Sequence, residues 1–241
     1  MQPRVAVTGA CGRIGGALVE HLAAHRYPLT LVDRSGGGLQ AMAARGAIVE
    51  LDLADRPPPG LFAGVDVVVH LAGEPSPDAS WDRLLAANIQ ASYHVADAAM
   101  RAGCRRLIVA SSVHAVSASP QRPVTPDGPV APADLYGVTK CFVEALAFWC
   151  AQRGSMSAAA VRIGAFQTVE ASRDSGAQWM ADVFIAVSDL VGLLERAISA
   201  RYRFAVLHAA APGRDVLLDT RATEQLLDWR AEHLFPLASE R

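Results

Sequence analysis

The chain has 241 residues, 51% of them hydrophobic and 19% charged, with a formal net charge of −2. That mixture belongs to soluble globular proteins with ample core material, and the length suits one large α/β unit with an appended substrate cap. The near-balanced charge excludes the basic field that neutralises nucleic-acid phosphates, and no apolar run reaches the roughly 18 residues that a membrane span requires.

In chain order, Val5-Ala6-Val7 predicts a first strand, and the chain enters it without a signal-type apolar region, so a cytoplasmic location is expected. The strand runs into Thr8-Gly9-Ala10-Cys11-Gly12-Arg13-Ile14-Gly15, and apolar spacing then predicts a helix over 14–25. Glycines between a strand and a helix permit a tight turn, close approach of backbone to a pyrophosphate and close helix-on-strand packing. The helix N-terminus donates to the phosphates. Gly9, Gly12, Arg13, Ile14 and Gly15 are therefore candidate dinucleotide contacts.

A second strand over 29–32 ends at Asp33, about 20 residues past the glycine loop, where a carboxylate accepts from both ribose hydroxyls of an adenosine half. The same charge repels a 2′-phosphate, so NAD is the expected cofactor, with Arg34 as a partial counterweight. The third strand, 48–51, precedes Asp52, which is either a turn residue or a partner for the adenine amino group. Residues 65–70 are nearly all apolar and predict a central strand covered on both faces. A helix over 81–101 follows, then a fifth strand through Leu107-Ile108-Val109 that ends at Ser111 and Ser112.

Pro120, Pro123, Pro126, Pro129 and Pro132 make a stiff loop of 117–133. A helix is predicted over 134–153, strands over 158–162 and 204–207, and a helix over 188–200, while the polar stretch 165–176 has the composition of a surface loop that closes over a site. The four cysteines, Cys11, Cys104, Cys141 and Cys150, form no C-x-x-C pair, so reduced thiols and no metal are expected. Alternating strands and helices imply a doubly wound parallel sheet of Rossmann type, with residues 1–164 binding dinucleotide and 165–241 forming a small C-terminal substrate-binding region packed on the same domain.

Tyr136-Gly137-Val138-Thr139-Lys140 places a phenol and an ammonium four residues apart on one helix face. A nearby positive charge favours phenolate and lowers a phenol from its ordinary pKa of about 10, which makes Tyr136 a usable acid/base. A strand-end serine hydroxyl then holds the substrate oxygen while a nicotinamide takes the hydride.

The ordered set T-G-A-C-G-R-I-G, D-L-A-D at 52–55, H-L-A-G at 70–73, Asn88, A-S-S at 110–112 and L-Y-G-V-T-K at 135–140 resembles the extended short-chain dehydrogenase/reductase superfamily, the NAD-dependent epimerase/dehydratase family. The resemblance implies Ser112, Tyr136 and Lys140 as catalytic residues and Asn88 as the helix residue whose backbone orders a relay water. It adds Leu53, Leu71, Ala72, Gly73 and Ile163, with Tyr136 and Lys140, to the cofactor contacts. S-S-V-H at 111–114, D-L-Y-G-V-T-K-C-F-V-E at 134–144 and V-R-I-G at 161–164 are most similar to the uronate dehydrogenases. That likeness implies oxidation of a hydroxyl of a small sugar or sugar acid, a hexuronate to its aldarolactone among them, with Ser76, Ser112, His114 and Arg173 on the substrate and Arg173 pairing its carboxylate.

Val113 stands where those enzymes resemble one another in asparagine, Ala165 where they have a small hydroxyl residue, and Glu74 brings an acid near the pocket mouth. Two other readings remain. An epimerase or dehydratase needs a larger C-terminal region for a nucleotide diphosphate than 165–241 offers, and a non-catalytic dinucleotide-binding protein commonly lacks the tyrosine and lysine. The resemblance also implies a homodimer through the helices at 81–101 and 134–153, the second of which carries Phe142, Val143, Leu146, Phe148 and Trp149 around much of its circumference.

Overall fold

A computed structural model describes residues 2–174, 180–213 and 216–236, apart from the side chains of residues 173 and 174. The elements follow as β1 (Val5–Thr8), α1 (Arg13–Ala24), β2 (Leu29–Asp33), α2 (Gly36–Ala41), β3 (Ala47–Glu50), β4 (Val67–His70), α3 (Trp81–Leu84), α4 (Ala91–Arg101), β5 (Arg106–Ser112) and α5 (Leu135–Ala151). Then come β6 (Ser157–Ile163), β7 (Ala165–Gln167), α6 (Val169–Asp174), β8 (Phe184–Ala186), α7 (Val187–Ser199), β9 (Phe204–Ala209) and α8 (Arg221–Leu227). Seven strands form one parallel sheet in the order β3-β2-β1-β4-β5-β6-β9.

Both faces of this sheet are covered, which is why its central strands are apolar at successive positions. Val5, Val7, Val67 and Val69 point to a core shared with Leu18 and Leu22 of α1 and Leu190 and Leu194 of α7. Ala6 and Val68 point the opposite way, to Val95 of α4 and Val143 and Ala147 of α5. The period of two along each strand thus feeds two separate helical layers. Strand order reverses between β1 and β4, and the crevice at the carboxyl ends of strands flanking such a switch is where doubly wound folds bind ligands.

Four features depart from the sequence expectation. The helix predicted over 81–101 is interrupted by a π-helical segment, Leu85–Gln90, between α3 and α4, and buried Asn88 lies within it. The widened turn changes which face the following residues present, and such insertions gather at functional sites. The stretch 165–176 is not simply a loop, because β7 pairs in parallel with β8 and α6 follows. Elements this short carry no readable periodicity, and β8 is held by burial of Phe184, Ile185 and Ala186. The third is α2, which forms across three glycines that oppose helix by propensity. Last, β9 of the C-terminal region pairs with β6 in the main sheet, so residues 165–241 are joined to the sheet as well as packed on it.

The proline-rich stretch follows a 3₁₀ turn, Val113–Val116, and is tied to the C-terminal region by a bridge between Val124 and Leu218. All four cysteines are free. Among the described residues no helix is long and apolar enough to cross a membrane.

Candidate active site

Gly9 adopts φ +69°, and a Cβ there would lie 2.6 Å from the Ala72 amide nitrogen; a Cβ on Gly15 would lie 2.0 Å from the Gly9 carbonyl oxygen. The first glycine lets the loop after β1 turn against the segment after β4, and the second lets α1 start against the loop. Gly12 caps α1 without any side-chain acceptor, so the first-turn amides of α1 are left to an external anion.

Two adjoining cavities of about 450 and 400 Å³ open at this switch point and share Gly9, Gly12, Leu71, Gly73 and Glu74. Each falls in the size range of small-molecule sites. Asp33, Asp52, Leu53 and Ala72 line the first. The Asp33 carboxylate is aimed by two backbone donors, accepting from Cys11 N–H at 2.9 Å and Ser35 N–H at 3.0 Å. Arg34 lines the same cavity. Asp52 Oδ1 accepts from Ala54 N–H at 2.9 Å, which gives it the turn role, while the residue also faces the cavity. The glycine loop, the bare helix start and an oriented carboxylate one strand away fit a dinucleotide running from the first cavity into the second.

The second cavity is lined by Arg13, Ile14, Gly15 and Ile163 on the loop side and by Ser112, His114, Tyr136 and Lys140 on the other. Ser112 ends β5, Tyr136 and Lys140 lie one turn apart on α5, and the Ser112 hydroxyl lies close enough to the Tyr136 phenol to favour its ionised form. Lys140 is buried, with Nζ donating to the Ala110 carbonyl at 3.0 Å and lying 5.4 Å from the Tyr136 ring centroid. Burial lowers its pKa to about 8.

The Tyr136 phenol departs from the sequence expectation. It is raised above its ordinary value, first by burial and then by the negative charges of Asp134 and Glu74, with only the bond to Ser112 acting the other way. A neighbouring ammonium lowers a phenol when it outweighs desolvation, and here Lys140 is itself held to a backbone carbonyl in the same dry environment.

His114 stands edge-on to Tyr136, ring centroids 5.2 Å apart, and its Nδ1 bonds Asp134 Oδ2 at 2.7 Å. Asp134 also caps α5 by accepting from Gly137 N–H at 2.7 Å, so one carboxylate fixes both the helix that carries Tyr136 and the orientation of the imidazole. With Nδ1 engaged by Asp134, Nε2 is the ring nitrogen of His114 left for another partner.

Asn88 does not line either cavity. It lies behind them, its Oδ1 accepting from Glu74 N–H at 2.8 Å and its Nδ2 donating to Thr139 Oγ1 at 3.0 Å, while Thr139 Oγ1 donates to the Tyr136 carbonyl at 2.7 Å. Glu74 faces both cavities but is ion-paired with Arg83 and accepts from Ser76 N–H at 3.0 Å. Ser76 is not among the lining residues, and its hydroxyl accepts from Asp78 N–H. Arg13 reaches across to β7, donating to Gln167 Oε1 at 2.6 Å and the Phe166 carbonyl at 3.3 Å. Arg173 lies in α6, but its side chain is outside the described residues.

Sequence reasoning missed Asp134, Thr139 and a buried network beneath Ser112. Glu144 and Arg162 form a two-pronged ion pair at 2.8 and 2.9 Å, Ser111 Oγ donates to Glu144 Oε1 at 2.6 Å, and Arg162 Nη1 contacts His208 Nε2 at 3.2 Å. An Asp one residue before a helical pattern is a capping signal and marks Asp134; nothing local marks the pairing of Glu144 with Arg162.

The model of the NAD dependent epimerase/dehydratase family matches residues 5–176. The L-arabinose 1-dehydrogenase (NAD(P)(+)) of Haloferax volcanii is 33% identical over 217 residues, covering 82% of this chain and 83% of that protein. The uronate dehydrogenase of Pseudomonas putida is 30% identical over 227 residues, covering 92% and 82%. Among solved structures, the uronate dehydrogenase from Agrobacterium tumefaciens superposes with a TM-score of 0.82 at 30% identity, covering 97% of this chain and 85% of that one. With a matching seven-stranded parallel sheet and the glycine loop at its switch point, the chain belongs to the NAD-dependent epimerase/dehydratase family.

Proposed function

We propose that this protein is an NAD-dependent dehydrogenase that oxidises a hydroxyl of a small sugar or sugar acid, with a hexuronate as the first substrate to test. The observation that carries this reading is the convergence of Ser112, Tyr136 and Lys140 on a cavity continuous with the dinucleotide groove. NAD, when bound, supplies the hydride acceptor. Gly9, Gly12, Gly15 and the start of α1 would hold its pyrophosphate, and Asp33 would hold the adenosine ribose. Ser112 positions the substrate hydroxyl, and the Tyr136 phenolate, which the Lys140 ammonium favours, accepts the hydroxyl proton and becomes the phenol. His114, oriented by Asp134, offers Nε2 to a second substrate oxygen. The C-terminal region supplies the remaining substrate contacts through Ala165, Phe166 and Val183 of the cavity wall, with Arg173 as the carboxylate partner.

A neutral aldose is the second reading. Val113 and Ala165 put apolar groups on the cavity wall, and a site that lacks polar partners there loses discrimination among hydroxylated substrates. NADH formation should be measured with glucuronate, galacturonate and their neutral parent sugars on wild type and Arg173→Ala. We expect the acids to react faster and Arg173→Ala to lose that advantage, since a charge-assisted carboxylate pair is worth about 1.5–3 kcal/mol. Equal rates with neutral sugars, unaltered in Arg173→Ala, would establish the aldose reading.

NAD is expected to bind more tightly than NADP, because the aimed Asp33 carboxylate repels a 2′-phosphate. Asp33→Ala should narrow that preference, and tighter NADP binding by wild type in a fluorescence titration would remove Asp33 from this role. Trp81, Tyr93, Phe148 and Trp149 are exposed on α3, α4 and α5, and we assign this surface to a homodimer interface. Sedimentation should show a dimer at micromolar concentration; a monomer alone would disprove the assignment. Dependence on free NAD and four unpaired cysteines support a cytoplasmic location.

A further inference from the structure

The C-terminal end of α1 carries His21 and, at its cap, His25, four residues apart and so stacked on one helix face. Their ring centroids are 4.5 Å apart. Glu195, from the neighbouring α7, meets both: its Oε2 lies 2.7 Å from His21 Nε2 and its Oε1 3.9 Å from His25 Nδ1. One ligand atom from each of the three residues falls within 4.8 Å of the others. The group lies roughly 12–18 Å along α1 from the glycine loop, at a rise of about 1.5 Å per residue, and shares no residue with the cavities of the candidate active site.

His21 Nε2 hydrogen-bonds Glu195 Oε2, while His25 stays beyond hydrogen-bond reach of Oε1 and bonds the His21 backbone carbonyl through Nδ1 at 2.9 Å. A central cation would engage all three side chains at once. The buried Tyr27 phenol lies close enough to Glu195 for the carboxylate, after burial, to raise it, the position of an outer partner to a ligating carboxylate.

We propose that His21, His25 and Glu195 form a binding site for a divalent cation of the zinc class, clamping the C-terminal end of α1 to α7. Two imidazoles and one carboxylate fill three of the four positions of a tetrahedral zinc ion, and water takes the fourth. The nitrogen donors select against magnesium and calcium, which take oxygen ligands. On binding, the cation replaces the proton between His21 Nε2 and Glu195. His25 gives up its bond to the His21 carbonyl or turns to offer Nε2, and its side chain is 52% exposed and free to do either.

The test is a titration of the full chain, stripped with a chelator, by Zn²⁺ in a calorimeter and by Co²⁺ in an absorption spectrometer. One equivalent of metal should bind saturably, with the visible bands of tetrahedral Co²⁺, and should raise the melting temperature. His25→Ala, at an exposed position, should weaken binding by about tenfold or more. His21→Ala/His25→Ala should abolish the single-equivalent binding, the bands and the melting shift while its metal-free melting curve stays cooperative. Absence of saturable binding to wild type, or the same binding in the double variant, overturns the proposal. None of these readouts depends on turnover, so the site stands or falls apart from the dehydrogenase reading.

Discussion

Tyr136→Phe should cut turnover by roughly 10²–10⁴-fold, the range for a lost general acid/base, while NAD affinity stays nearly unchanged. The substitution removes one oxygen from a buried ring and leaves the α5 cap at Asp134 and the Lys140 bond to Ala110 in place. Because burial raises the phenol, the proton-accepting form is scarce near neutrality, so wild-type oxidation should climb as pH rises towards the phenol's range. Tyr136→Phe should lose that climb along with the rate. Steady-state NADH formation across pH, with NAD binding followed separately, checks both. Unchanged turnover in Tyr136→Phe would remove the residue from the chemistry.

The largest effect on stability should come from separating Glu144 and Arg162. Arg162 is 1% exposed, and its guanidinium has the Glu144 carboxylate on two of its nitrogens and a neutral His208 ring on the third. Burial and the Arg162 charge lower His208 to about 4, so it offers no negative charge in place of Glu144. Glu144→Leu therefore strands a buried cation and should cost about 3–5 kcal/mol, whereas Glu144→Leu with Arg162→Met should recover most of it. Urea unfolding of wild type, single and double variants gives the comparison. A loss below about 1 kcal/mol in the single variant would show that the pair is better solvated than its burial implies. The pair lies beneath the end of β5, since Ser111 Oγ donates to Glu144 and Ser112 is the next residue. A folded Glu144→Leu protein should accordingly bind NAD while turning over more slowly.

Much of the fold was legible because its signals are local. Residues 5–7, 31–32 and 67–69 are apolar at successive positions since both faces of the sheet are covered, and that pattern is written along each strand separately. The glycine loop, Asp33 at the end of β2, the serines at the end of β5 and the one-turn spacing of Tyr136 and Lys140 are likewise local, and the structure brings all of them to the two cavities. Asn88 was found by motif, yet the π-helical turn that places it behind the cavity has no signature in periodicity. Ser76 was proposed as a substrate contact, but its hydroxyl serves a turn at Asp78 instead.

Which polar side chains meet is settled only in three dimensions. Arg13 and Gln167 are 154 residues apart, and His21 and Glu195 are 174 apart. Hydrophobic periodicity tells which face of an element is buried, not which polar side chain of another element lies opposite. The direction of the Tyr136 shift is of this kind: sequence places an ammonium one turn away, and a lowered phenol follows from that charge alone. Only the packing of β5 and α5 shows that the Lys140 ammonium also donates to the Ala110 carbonyl and that burial dominates the phenol's shift. The strands, the glycine loop and the one-turn spacing of Tyr136 and Lys140 can be read from the chain itself; three-dimensional packing sets their partners and the direction in which the phenol shifts, because desolvation depends on every element that closes around a group.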